Sequence, residues 1–285
     1  MSRDAGGGVE AHATESPGRL PDSGQTPRRP RGFHGRNRTG ASRVPHDVSV
    51  PDAAHPALTE ADLPAAVAEL ATRDPGLAAI AARFGTPPLW AREPGFPTLV
   101  HLILEQQVSL ASAKAAFDRL GTVTGPLTPA AFLALDDAAL LAIGFSRQKA
   151  RYARGLARAV SDGELDLDAL PRADDAEVDR RLTALPGVGP WTATIYRLMV
   201  LLRPDAWPLG DIALAQALAE TRGLPTRPTQ DELLAAAEAW RPWRAVAARL
   251  LWHHYLSVRA ERRAARRAAR PAGPTASGPP DAPGP

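Results

Sequence analysis

Residues 58–267 predict an all-α fold. Alanine and leucine recur there at three- and four-residue spacing, alternating β-branched runs do not occur, and Pro, Ser or Asp repeatedly stands where a helix would begin. The flanks read differently. Residues 1–57 are rich in Gly, Pro, Ser, Arg and Asp, with PRRPRGFHGRNR from Pro27 to Arg38 as a basic centre, and residues 268–285 are again Pro, Gly and Ala. Neither flank has enough apolar side chains to offset the entropy of ordering a chain, so both are expected to be disordered tails.

The elements expected in order begin with Leu63 to Thr72 and Pro75 to Phe84, the second opened by proline in its first turn. Pro97 to Glu105 follows on the same signal, then Ser109 to Leu120 with Ser109 as cap. Two short helices, Pro129 to Leu135 and Asp137 to Ile143, lead to Ser146 to Ser161, again capped by serine. Asp175 to Ala184 and Pro190 to Leu202 form the next pair, and the chain closes with Ile212 to Glu220, Gln230 to Trp240 and Pro242 to about Arg267. Together they predict a helical bundle in two lobes.

Composition narrows the chemistry. The chain has 285 residues, is 44% hydrophobic and carries a net charge of +3, with an isoelectric point near 9.8. That balance permits a polyanionic partner without requiring one. No cysteine is present, which removes disulfides, thiol nucleophiles, cysteine-type zinc sites and iron–sulfur clusters. No run resembles a signal core or a membrane span, so a soluble cytoplasmic protein without membrane contact is expected.

Two stretches carry chemistry. The first is LPGVGPW, Leu185 to Trp191, the connection of a helical hairpin. Gly187 and Gly189 open backbone conformations closed to other residues and let another molecule approach the main chain. Amides at the start of the second helix, backed by its dipole, can hold a phosphate. Alone, this is first an ordinary helix turn. The second stretch is PLGDIALAQAL, where Pro208 and Gly210 shape a loop that brings Asp211 to a helix start. Asp211 reads as an N-cap, and capping does not prevent other work: amide donors stabilise the carboxylate, which can in turn face a developing positive charge or orient a water.

The whole segment LPGVGPWTATIYRLMVLLRPDAWPLGDIALAQAL resembles the helix-hairpin-helix, Gly/Pro-rich loop, Asp superfamily of DNA base-excision glycosylases. The likeness extends through GFPTLVHLILEQQVSLASAKAAFDRL, IGFSRQKARYARGLARAV and AWRPWRAVAARLLWHHY, and so covers about Leu63 to Tyr255. It implies a cleft between the lobes and duplex DNA with a damaged base as partner, with no cofactor and a monomeric enzyme. Members that also nick the strand carry a lysine where this chain has Trp191; its absence implies water as nucleophile. Trp191, EQQVS and RPWR resemble the 3-methyladenine DNA glycosylase II family in particular, in a compact form without an additional N-terminal α/β domain; the alternatives are a glycosylase of the same superfamily for uracil, hypoxanthine or ethenoadenine, and a non-catalytic protein that binds DNA through the hairpin alone.

That resemblance assigns Asp211 to catalysis and Trp191, Trp243 and Tyr196 to the base pocket, while the family's second aromatic on this helix falls at Ile195. It assigns DNA contact to Gly187, Gly189, Thr192, Gln107 and Ser109. Gln107 sits where the family places the side chain that fills the gap left by a flipped base, and it reads equally as a polar helix-junction residue. The carbonyls of Thr183, Leu185 and Gly187 would be those that hold a monovalent cation. Trp240, Trp243 and Trp252 also lie at helical spacing and could all be core. Arg147, Lys149, Arg151 and Arg154 start a helix as a basic face, for phosphate or for solvent, with Lys149 the residue expected to reach DNA. His253 and His254 are adjacent on a helix and so make a poor metal pair.

Overall fold

The computed structural model describes residues 57–269; the tails expected at 1–57 and 268–285 lie almost wholly outside them. Twelve α-helices and one 3-10 turn fill the described residues, with no strand among them. α1 (Leu63–Arg73) and α2 (Pro75–Phe84) form a hairpin pivoting on Asp74, whose Oδ1 caps α2 through the amides of Gly76 and Leu77. The chain then leaves regular structure until α3 (Phe96–Glu105).

α4 (Leu110–Thr124), α5 (Pro129–Leu133), α6 (Asp137–Ile143), α7 (Arg147–Ser161), α8 (Asp175–Thr183) and α9 (Pro190–Met199) follow. With α3 they build one lobe, in which α3 packs on α4, α7 and α9. The other lobe joins the two ends of the domain: α10 (Ile212–Arg222), α11 (Gln230–Glu238) and α12 (Arg244–Ala268) pack with α1 and α2, with α12 as the common partner. Ser109, Thr128, Asp136, Ser146, Asp174 and Thr229 each cap the helix that follows by accepting from its third amide, which is why these starts were legible.

The helix ends depart from expectation where tertiary contacts compete. α9 stops at Met199 rather than Leu202, because the Met199 and Leu202 carbonyls accept from the amides of Arg92 and Leu58. α4 runs past Gly121 to Thr124 and stops at Gly125, whose φ of 63° is left-handed. α12 starts at Arg244 rather than Pro242, after a turn closed by the Trp243 amide on the Trp240 carbonyl.

One buried arginine ties the lobes together. Arg249 on α12 is fully buried and donates to the carbonyls of Leu89, Ala245 and Leu198, so one guanidinium spans α12, the segment before α3 and the end of α9. Burial lowers its pKa to about 10, which still leaves it charged at neutral pH.

Candidate active site

The Leu185–Trp191 hairpin joins α8 to α9 through two tight turns, Leu185 amide to Leu182 carbonyl and Val188 amide to Leu185 carbonyl. Gly187 has φ of 90°, and a Cβ there would lie 2.2 Å from the Tyr152 ring of α7, so both conformation and space require glycine. Gly189 differs from expectation: its backbone is extended, with φ of −88°, a conformation open to any residue, and its Cβ direction is clear to 4 Å. No side chain caps α9, so the first amides of that helix have neither an intrahelical nor a side-chain acceptor. Gln106, which sequence reasoning passed over in favour of its neighbour, locks the hairpin by donating from Nε2 to the Gly187 carbonyl and to Thr192 Oγ1.

Asp211 is placed by a loop in which Gly210 has φ of 88° and donates its amide to Gln230 Oε1. Its Oδ1 accepts from the amides of Ala213 and Leu214, capping α10. Its Oδ2 accepts from the indole Nε1 of Trp191 at 3.3 Å. One oxygen is thus committed to the helix, while the other reaches a cavity.

That cavity, of about 400 Å³, lies between α9 on one side and α10 and α12 on the other, within the usual range for small-ligand sites. Trp191, Trp90, Trp252 and Tyr255 supply its aromatic walls, with Trp90 and Trp252 edge to face at 6.5 Å. Arg92, Glu105 and Asp211 are its charged members. Leu110 and Leu256, 61% and 46% exposed, stand at its open side. Neither lysine of the chain lines it: Lys114 pairs with Asp118, and Lys149 is occupied elsewhere.

Several expectations need correction. Trp243 does not line the cavity; it precedes the first turn of α12 and donates Nε1 to Glu69 of α1 at 2.6 Å. Trp252, two and a half turns further along α12, takes that place. Tyr196 faces the lobe interior, fully buried, and burial pushes its pKa up to about 12, with the Gly95 backbone nearby but not in ordinary hydrogen-bond geometry; Ile195 lines the cavity instead. Lys149 is not free for a phosphate, because its Nζ donates to the Leu104 carbonyl at the end of α3, where burial lowers its pKa.

Gln107 stands exposed in the junction of α3 and α4 with φ of 58°. Ser109 beside it is spent on capping α4. The Thr192 side chain is buried, leaving only its main chain for outside contact. Of the three carbonyls expected to share a cation, those of Leu185 and Gly187 already accept one hydrogen bond each, so an ion would use their second lone pairs together with Thr183. Arg154 is drawn to Asp137 and the Leu135 carbonyl, whereas Arg147 and Arg151 remain exposed. His253 and His254 pack on Phe84, and no group of three or more His, Asp or Glu is placed to hold a metal among the described residues.

Residues 100–242 match the family model described as HhH-GPD superfamily base excision DNA repair protein. A Bacillus subtilis protein provisionally named a DNA-3-methyladenine glycosylase is 30% identical over 162 residues, 54% of this chain and 56% of that protein. DNA-3-methyladenine glycosylase 2 of Escherichia coli is 28% identical over 165 residues, 54% of this chain and 55% of that one. The chain thus spans about half the length of these curated relatives. Among solved structures, the Schizosaccharomyces pombe 3-methyladenine DNA glycosylase in complex with abasic DNA superposes with a TM-score of 0.63 at 26% identity, over 66% of this chain and 95% of that one.

Proposed function

Since the chain belongs to the HhH-GPD superfamily of base excision DNA repair proteins, we propose that it is a monofunctional glycosylase releasing alkylated purines of the 3-methyladenine type from duplex DNA. The observation that carries this reading is the single cavity shared by Trp191 and Asp211, their polar atoms 3.3 Å apart, under aromatic walls and with no lysine in reach.

Alkylation at a ring nitrogen makes a purine cationic and a good leaving group. The damaged nucleotide is extruded from the stack into the cavity, where tryptophan faces offer a cation about 0.5–2 kcal/mol each. The bond between C1′ and the base nitrogen breaks with its electron pair leaving on the base, which departs neutral. Asp211 Oδ2 faces the positive charge that develops on the sugar and takes a hydrogen bond from the attacking water. Water oxygen bonds to C1′, its proton is lost, and an abasic sugar remains in an intact strand. Without an amine to form a Schiff base, no nick follows.

The hairpin would hold a backbone phosphate on the amides of α9 beyond Gly187 and Gly189, and Gln107 would enter the gap in the duplex. Ser109 and Lys149 support this surface from behind, by capping α4 and closing α3. The test is release of 3-methyladenine from duplex by the purified protein, with abasic sites cut by alkali. Asp211→Asn is expected to reduce release by at least about 100-fold while duplex binding persists. Equal release by wild type and variant, or product strands cut without alkali, would overturn the reading.

A further inference from the structure

The cavity contains an ion pair that the proposed reaction does not use. Arg92 donates to Glu105 through both terminal nitrogens, at 3.0 and 2.9 Å, and both side chains line the wall. The Glu105 side chain is only 7% exposed and belongs to the last residue of α3, where the helix dipole disfavours a carboxylate. Its other neighbour gives it little help. His101 Nε2 lies 3.6 Å away without a hydrogen-bond partner, and the imidazole, stacked on Phe117, is held neutral by burial.

A pair with its carboxylate side chain covered and its guanidinium side chain 24% exposed gains little over apolar side chains of the same size, because desolvating the charges offsets much of their attraction. Its position in an otherwise aromatic wall points to recognition, since small-molecule sites are apolar with a few polar groups that fix orientation. Arg92 is set to do this: its amide is anchored on the Met199 carbonyl, and Met199 also borders the cavity. A bidentate pair uses only part of what each group offers, for the carboxylate has about four acceptor sites and the guanidinium five N–H donors. What remains is an acceptor beside a donor.

Resting on the glycosylase reading, we propose that Arg92 and Glu105 read the edge of the extruded base and make this cavity selective for alkylated adenines that keep the 6-amino group. Adenine presents an N6–H donor beside the N7 acceptor. Glu105 accepts from the amino group and Arg92 donates to N7, while a base whose N6 is closed into an etheno ring has lost that donor. Asp211 and Trp191 supply the chemistry; Glu105 supplies the choice.

The experiment compares single-turnover release of 3-methyladenine and 1,N6-ethenoadenine from otherwise identical duplexes by the full chain and by Glu105→Gln, which keeps the shape but exchanges an acceptor oxygen for a donor. Release of 3-methyladenine should fall about 10- to 100-fold, the worth of one hydrogen bond to a charged group, and release of ethenoadenine far less. An unchanged ratio of the two rates would overturn the proposal, including the case in which both rates fall together with the melting temperature. Should Glu105→Gln not fold, Arg92→Lys, which keeps the charge pair but loses the fork, reads the same ratio. If wild type releases neither base, the glycosylase reading falls. Titration of the two free bases against tryptophan fluorescence then decides for the pair, and equal affinities refute it.

Discussion

Trp191 and Asp211 come within 3.3 Å of each other because one residue opens a helix after a glycine hairpin and the other caps a helix after a Pro/Gly loop; both placements are local. The cavity's other rings are placed by tertiary contact. Trp90 sits between α2 and α3 with φ of 49°, and only tertiary packing against Trp252 brings it to the wall. Trp240, Trp243 and Trp252 share one helical periodicity, which shows that they recur but not which face each presents. Trp240 proves to be core, Trp243 a partner of Glu69, and Trp252 the wall. At this scale, Trp191→Ala should slow release of a cationic base by about 2- to 30-fold, and Trp191→Phe by less, measured as single-turnover rates against a neutral lesion that changes little. Gly187→Ala should cost about 2–5 kcal/mol in urea denaturation, combining left-handed strain with the clash on Tyr152. Gly189→Ala should melt with wild type, since its backbone is ordinary and its surroundings open.

Among the elements, starts were clearer than ends because a cap is one side chain acting on the next three residues, whereas an end depends on what competes for the last carbonyls. Lys149 shows the limit: a basic residue in the first turn of α7 reads as a phosphate contact, yet its amine reaches across to α3. Asp74 shows the converse, a local cap with distant duties. Beyond capping α2, its Oδ2 accepts from Trp240 Nε1 at 3.0 Å and from Arg222 at 2.9 Å, joining the α1–α2 hairpin to α10 and to the end of the α11 segment. Burial raises its pKa, but the bonds from Arg222, the Leu77 amide and Trp240 outweigh it, leaving the group below its ordinary 3.8. A depressed carboxylate stabilises the fold above the unfolded value and ceases to as pH falls through the folded one. Melting temperature should therefore decline as pH drops from about 5 toward 3, and Asp74→Asn should start lower and decline less over that interval.

Over the whole molecule, the all-α class and the two lobes followed from periodicity, while the interleaving did not. The first two helices complete a lobe with the last three, around a central block inserted between them, and no local pattern reports a partner more than a hundred residues away. Arg249 belongs to that hidden level, an arginine within an apolar helical run that sequence alone would place on a surface. Arg249→Met, similar in length, leaves the Leu89 and Leu198 carbonyls without this donor, while Ala245 keeps its helical one, and should cost about 3 kcal/mol or more. Loss of cooperativity, with the two lobes melting separately in calorimetry, would accompany it. In the intact protein the guanidinium works as a rivet of fixed length through both jaws of a vice. On the glycosylase proposal, a slot gauged in this way would have little freedom to open for its guest or close upon it, so strain during extrusion would fall on the bendable partner, the double helix, with the protein as the die against which it is pressed.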